Sequence, residues 1–361
     1  MDKKQEELLI NLTSANGIAG NEGQVRQVFK DYSADYVDEF VEDGLGGLFG
    51  KKTGDANGPT IMLAGHLDEV GFMVTQITEK GFIKFQPIGG WWSQVLLAQE
   101  VTITTGQGTT VDGVIGSKPP HILPAEVRNK TVDIKDMYID VAATSKEEVE
   151  SWGVRPGDMI TPSIEFKRMN KSKYLMAKAW DNRIGTAVAA QLLKELKGKK
   201  HPNIIYSGAN VQEEVGLRGA RVAAHMLKPD LSFALDTGIP GDTPGIAPHE
   251  ADSVLGKGPQ ILVYDASMIP HRGLRDYVID LAEELEIPFQ YATVAGGGTD
   301  AGGQHISLNG IPSLAICIPV RYLHSHASII HEDDYHNTVR LVTALVERLD
   351  AKALETIKAN V

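Results

Sequence analysis

Two textures of apolar spacing alternate along the chain. In the first, short apolar runs alternate with stretches whose apolar residues recur every three or four positions, the spacing of one buried helix face. Leu8, Leu9 and Leu12 line a short N-terminal helix, and Asn21 is placed to cap a second. Ile61-Met-Leu-Ala-Gly65 reads as a strand. From Asp181 onward the alternation is regular. Ile184, Ala187, Val188, Leu192 and Leu196 mark one helical face, Ile204 to Val211 a buried strand, residues 218–227 a helix and Leu231 to Leu235 a strand. Ile261 to Tyr264 follows as strand. Leu274, Tyr277, Val278, Leu281 and Leu285 then form a helical stripe, Phe289 to Val294 and Leu314 to Pro319 two more strands, and Asn337 to Leu349 a final helix. This repetition predicts an α/β fold, a mainly parallel sheet flanked by helices.

The second texture runs from about Val70 to Ser163. It is rich in β-branched residues and short turns, as in VGFMVTQITEKGFIKF and VTITTGQGTTVDGVIG, and helical spacing is nearly absent outside Ser145 to Trp152. It predicts a small β-barrel or β-sandwich inserted into the α/β unit. Residues 1–69 and 164–361 would then form one domain and residues 70–163 the insert.

Charge narrows the partners. Against 35 Lys and Arg stand 47 Asp and Glu, a net −12, so neither nucleic acid nor an anionic membrane meets the basic face it needs. The single cysteine, Cys317, lies in the apolar run Ser313 to Val320. No internal disulfide is possible, the residue reads as a small buried hydrophobe, and a reducing compartment fits. The N-terminus lacks the apolar core of a signal peptide, and no stretch reaches the ~18–20 apolar residues of a membrane span. A soluble, cytoplasmic protein is expected.

The candidate chemistry sits where strands end. His66 and Asp68 follow the strand at 61–65, and Asp181 precedes a helix. Glu213 and Glu214 follow the strand at 204–211, Asp236 ends the strand at 231–235, and His324 follows the strand ending near Val320. In a doubly wound sheet the carboxyl ends of the strands share one crevice. Nitrogen and oxygen donors without thiolates suit zinc, cobalt or manganese. Taken singly, each residue has a plain reading as a helix cap, a turn acid or a surface histidine; only their joint placement argues for a site. The pair Glu213-Glu214 alone reads as a solvated acidic turn. Val215-Gly216-Leu217-Arg218-Gly219 breaks the strand, so both carboxylates are free to face one crevice. One then ligates metal while the other carries a proton. Asp68, two residues after His66, is placed either as a turn acid or to accept a hydrogen bond from the imidazole and fix its tautomer.

Five segments, Gly65-His-Leu-Asp-Glu-Val-Gly71, Ala179-Trp-Asp-Asn-Arg183, Val211-Gln-Glu-Glu-Val-Gly216, Ala234-Leu-Asp-Thr-Gly238 and Tyr322-Leu-His-Ser325, stand in an order and spacing that resemble the tetrahedral aminopeptidases. These are di-metal exopeptidases that include glutamyl and deblocking aminopeptidases, and the resemblance covers essentially the whole chain. It implies that Asp181 bridges two divalent ions, zinc or cobalt first and manganese next. His66 and Asp236 complete one site, Glu214 and His324 the other. Glu213 would be the general base and acid, taking a proton from a water bridging the ions, and Asp68 would orient His66. The resemblance further implies a cis peptide after Asp181, peptide substrates, and homo-oligomers from dimer to dodecamer built through the β insert, which would serve assembly and substrate access.

Gly296 to Gly303 is glycine-rich, but no Lys-Ser/Thr pair follows, so it is read as a loop shaping the substrate pocket, with Thr299 and Asp300 as its contributors. Lys118-Pro-Pro-His121 reads as a rigid surface loop, a subunit contact, or a segment reaching a neighbouring site. His326 competes with His324 as a ligand, and Trp91-Trp92 reads as packing or interface. Two alternatives stand beside the aminopeptidase: a glycoside hydrolase of endoglucanase type, which needs paired carboxylates and usually aromatic platforms, and a non-catalytic metal-binding assembly protein.

Overall fold

Alternation along the strand Thr60–His66 sends Ile61 and Leu63 to one side of a sheet and Met62 and Ala64 to the other, and both sides are covered. In the computed structural model, which describes residues 1–360, this strand lies near the middle of an eight-stranded sheet. Its neighbours are Ile204–Asn210 and Leu231–Gly238, and Ser313–Pro319 pairs beyond the latter; these four run parallel. Antiparallel pairs flank that centre. The hairpin Glu39–Glu42 and Leu48–Thr53, unforeseen from the sequence, closes one edge. At the other, Gln260–Asp265 joins Ser313–Pro319 antiparallel and carries Gln290–Val294 outermost.

The helices Lys3–Ser14, Gly23–Ser33, Trp180–Glu195, Arg272–Glu284 and Glu332–Arg348 bury their apolar stripes against the Ile61 and Leu63 face. Arg218–Leu227 and the short Asp300–His305 cover the other. Two sequence expectations change. Asn21 does not cap the second helix; Glu22 precedes it, and its carboxylate accepts from the Gly20 and Gln212 amides instead. The last helix predicted from Asn337 begins at Glu332, capped by the His331 ring, and a further helix, Ala351–Ala359, follows. Cys317 is buried, as its surroundings predicted.

The insert is a closed six-stranded barrel rather than a sandwich. Its strands, in ring order, are Gly71–Ile77, Ile83–Ile88, Tyr138–Asp140, Thr110–Gly116, Glu100–Thr104 and Met159–Pro162. Phe72, Val74, Ile83, Val101, Ile103, Ile115, Ile139 and Ile160 fill it. Lys118–His121 lies on an exposed loop of this barrel. A small three-stranded sheet of Lys167–Arg168, Tyr174–Ala177 and Ser328–His331 ties the chain leaving the barrel to the segment after His324. No helix among the described residues is long and apolar enough to cross a membrane.

Candidate metal centre and active-site cleft

The strand Thr60–His66 and the helix Trp180–Glu195 touch backbone to backbone. A Cβ at Gly65 would lie 2.5 Å from the Thr186 nitrogen, and one at Gly185 would collide with the Leu235 carbonyl. That close approach lays the first turn of the helix across the strand ends. Thr186 Oγ donates to the His66 carbonyl (3.0 Å) and Asn182 Nδ2 to the Leu235 carbonyl (2.8 Å). Asp181 is thereby held over His66, and the Asp181–Asn182 peptide is cis.

Around Asp181 the side chains named from the sequence come together. His66 Nε2 is 3.3 Å from Asp181 Oδ1 and 3.8 Å from Glu213 Oε2. His324 Nε2 is 3.3 Å from Asp181 Oδ2 and 3.4 Å from Glu214 Oε1. Two compact donor groups result, His66–Glu213–Asp236 and His66–Asp181–Glu214, each with ligand atoms within 4.8 Å of one another. His324 extends the second. His326 does not reach them: its ring nitrogens have no hydrogen-bond partner and the ring lies against Trp91.

Both candidate imidazoles are turned by main-chain carbonyls on their other nitrogen. His66 Nδ1 meets the Asp68 carbonyl at 2.9 Å, and His324 Nδ1 the Gly90 carbonyl at 2.8 Å. The Asp68 carboxylate stands farther from His66, at 3.5 Å. Its main partners are the amides of Glu213 and Glu214, each donating at 3.1 Å. The Asp68 carboxylate thus holds the turn bearing the two glutamates, while its main-chain carbonyl is the group that meets His66 most closely.

Electrostatics favour a cation. Burial, then the charges of Asp236, Asp300 and Glu214, pushes Glu213 well up, against a lowering pull from His66. Burial likewise raises Asp236 strongly, and Glu214. Burial works against the His324 imidazolium, but Asp181 and Glu214 outweigh it and push the ring up to about 11. Burial opposes the His66 imidazolium too, and Glu213, Asp181 and Asp68 overcome it. Protons here do the neutralising that cations would do in their place, since ligating imidazoles and carboxylates must be deprotonated. Asp181 Oδ1 and Glu214 Oε1 are buried, and although His66 and His324 nitrogens stand 3.3 and 3.4 Å from them, neither contact has hydrogen-bond geometry. The donor set and its unpartnered oxygens fit divalent metal.

These residues floor a cavity of about 840 Å³. Leu217, Ile239, Val294 and Leu323 supply apolar wall, and Gly296 to Thr299 another side. Thr299 does line it, but its hydroxyl donates to Asp265 (2.9 Å). Asp300 is buried behind the wall, where Asn210 Nδ2 donates to it at 2.8 Å; burial first of all raises it to about 7. Sequence reasoning missed Asn210 and Asp265. It also missed a buried triad behind Asp68: Glu69 accepts from Lys178 Nζ at 2.6 Å and Arg183 Nη2 at 3.0 Å. An Asp or Glu beside a motif residue was the one available signal.

Known proteins share this architecture. The M42 glutamyl aminopeptidase family matches residues 46–341, and a second family, AMPT, residues 3–29. The glutamyl aminopeptidase of Lactococcus lactis is 37% identical, with 96% of this chain and 97% of that protein aligned. The lysyl aminopeptidase of Pyrococcus furiosus is 33% identical over 95% and 97%. A TET aminopeptidase structure from a marine sediment Thaumarchaeota archaeon superposes with a TM-score of 0.96 at 46% identity, covering 98% and 99% of the two chains. The Pyrococcus horikoshii TET1 peptidase, described as assembling into a tetrahedron or a large octahedral shell, gives 0.85 at 32% identity over 96% and 100%. With a family match over most of its length and relatives this similar end to end, the chain belongs to the M42 glutamyl aminopeptidases and is an aminopeptidase.

Proposed function

We propose that the chain is a two-cation aminopeptidase that removes the first residue of a peptide in the cleft above the central strand ends. The observation that carries this is the Asp181 carboxylate, whose two oxygens face different imidazoles at 3.3 Å each. A carboxylate shared between two nitrogen–oxygen groups suits two neighbouring cations. His66 and Asp236 would hold one, Glu214 and His324 the other, and Asp181 both; zinc, cobalt and manganese all fit such donors. When bound, the cations supply Lewis-acid polarisation of the scissile carbonyl and acidify the attacking water.

The chain's own residues do the rest. Glu213, buried at the cleft floor, takes a proton from the attacking water and passes it to the leaving amine. Asp68 fixes where Glu213 and Glu214 begin by accepting from both amides. The carboxylates not neutralised by metal attract the free α-amine of the substrate, which favours cleavage at the first residue. Residues 1–69 and 164–361 form the catalytic domain, and the barrel at 70–163 serves assembly and access. Copies of the chain associate into dimers or a dodecameric shell in the cytoplasm, in keeping with the assembly of the P. horikoshii relative.

The test is metal removal and return. Chelation should abolish hydrolysis of aminoacyl-anilides, and two equivalents of zinc, cobalt or manganese should restore it. Glu213→Gln should still bind both equivalents while turnover falls about 10²–10⁴-fold, the usual worth of a positioned proton carrier. Hydrolysis indifferent to chelator, or undiminished in Glu213→Gln, would overturn the mechanism.

A Thermotoga maritima structure described as an endoglucanase, 29% identical with a TM-score of 0.78, favours a second reading. The site argues against it. Glycoside hydrolases work through a pair of carboxyls flanking a sugar, whereas here the carboxylates stand against imidazoles, Asp181 3.3 Å from both His66 and His324 and Glu214 3.4 Å from His324. Among the described residues no Phe, Tyr or Trp side chain lines the cavity. Soluble β-glucan should remain intact under conditions that cleave anilides.

A further inference from the structure

The strand of the barrel that ends at Ile88 runs into Gly89-Gly90-Trp91, and this turn enters the catalytic cleft rather than staying with its own domain. The Gly90 carbonyl accepts from His324 Nδ1 at 2.8 Å, so the barrel supplies the outer partner of a candidate metal ligand. The conformation requires glycine at position 89, and a side chain at position 90 would crowd the approach. A Cβ at Gly89, where φ is +80°, would stand 3.3 Å from Glu214 Cβ and Oε2, and one at Gly90 would stand 3.3 Å from His324 Nδ1. The receiving loop is itself held in an uncommon conformation, with φ of 64° at Tyr322 and 53° at His324.

Trp91 ties the turn to the barrel core and to the loop that bears His324. Its ring stacks on Phe72 of the barrel core, with centroids 4.8 Å apart, and its Nε1 donates to the Gly71 carbonyl at 3.0 Å. It also meets His326, on the loop that bears His324, with ring centroids 5.6 Å apart and the planes tilted by 56°. His326 is 5% exposed and neither ring nitrogen has a partner. It packs against Trp91 as an apolar ring.

We infer that the inserted barrel is part of the metal centre: the Gly89-Gly90-Trp91 turn positions His324, so docking of the barrel sets cation affinity at the His324–Glu214 position. The inference rests on the two-cation reading above. Outer partners of metal-bound histidines fix ring orientation, and losing them costs about 10–100-fold in affinity. Linkage is reciprocal, so a cation at that position tightens the barrel's hold on the cleft by the same factor.

Zinc titration of the full-length, metal-free protein by calorimetry tests this. Trp91→Ala and His326→Ala should each weaken one of two equivalents about 10–100-fold and leave the other unchanged, while Trp91→Phe and His326→Phe, which keep an aromatic face, should bind both as wild type does. Hydrogen exchange at residues 89–92 should slow when zinc fills the wild-type protein, and should slow less in His326→Ala. That measurement decides the matter even if Trp91→Ala does not fold. Equal weakening of both equivalents, wild-type binding in the alanine variants, or exchange at 89–92 indifferent to zinc would each overturn the inference. Loss of an equivalent in His326→Phe would make His326 a ligand and overturn it too. Failure of the wild-type protein to take up a second equivalent would instead overturn the two-cation reading, and the inference with it.

Discussion

Glu69 is the residue whose loss should be felt most for its size. It is 1% exposed and accepts three hydrogen bonds, from Lys178 (2.6 Å), Arg183 (3.0 Å) and the Gly17 amide (3.3 Å). Both cations are buried. Replacing Glu69 with Gln keeps the shape and removes the charge, and stripping one partner from a buried ion pair costs about 3–5 kcal/mol. Two features of the site hold the loss to the lower end. Arg183 keeps the carbonyls of Leu12, Ala15 and Gly17. Burial, reinforced by Arg183, already holds Lys178 down at about 8 despite Glu69, so the lysine can shed its proton rather than remain charged and unpaired. About 3 kcal/mol is expected. At ~2 °C per kcal/mol for a chain at or beyond the upper end of the usual size range, that is ~6 °C in melting temperature. Calorimetric melting of metal-free protein would measure it. The pH dependence carries the sharper test. Lys178 has a folded pKa below its unfolded 10.5, so above about pH 8 the folded lysine is neutral and the pair contributes little. The gap between wild type and variant should therefore narrow as pH rises from 7 to 9. Lys178→Met added to Glu69→Gln should recover part of the loss. A deficit under ~1 kcal/mol at pH 7, or one that grows with pH, would refute the reasoning.

Two further outcomes are expected. Apart from the acids and imidazoles of the candidate metal centre, the charged side chain lining the cavity is Glu250, and no Lys or Arg lines it among the described residues. Glu250 is exposed, and exposed charge pairs are screened to about 0.2–1 kcal/mol, so leucyl-anilide should exceed glutamyl-anilide in kcat/KM by about two- to fivefold; a preference for glutamyl-anilide would sink this. Burial holds the His326 pKa down to about 4, below an unfolded 6.5, so its contribution is complete above pH 6.5 and is lost as pH falls toward 4. His326→Phe should flatten that part of the stability–pH curve, and an unchanged acid limb would show that other groups dominate it.

What could be read in the chain was whatever is periodic or local. Ile61 and Leu63 against Met62 and Ala64 announce a strand with two covered faces, and Ile184, Val188 and Leu192 announce the helix laid over it. The donors at strand ends are local too, each standing beside the run that positions it. What stayed hidden was pairing across sequence. Asp68 meets amides 145 and 146 residues away, and Glu69 meets cations 109 and 114 residues away. No spacing rule encodes such partners. Asp300 looked like a pocket residue because it follows glycines and Thr299. Its burial and the Asn210 bond depend on the helix it begins, and six residues carry too little periodicity to reveal one. The Gly90 carbonyl is invisible for another reason: every residue has a carbonyl, and only the fold selects which one faces an imidazole.

The wide separation of His66 and His324 along the chain also bears on when the enzyme comes into being. The strand bearing His66 is finished before any of the barrel has been synthesised, and Tyr174–Ala177 waits for Ser328–His331 to pair with it. At 5–20 residues per second, about 13–50 s separate emergence of residue 66 from that of residue 331. Throughout that interval the nascent chain carries some of the donors without the last histidine or its anchoring strand. The proposed two-cation centre therefore assembles only after the segment carrying His324 and the strand Ser328–His331 has been made.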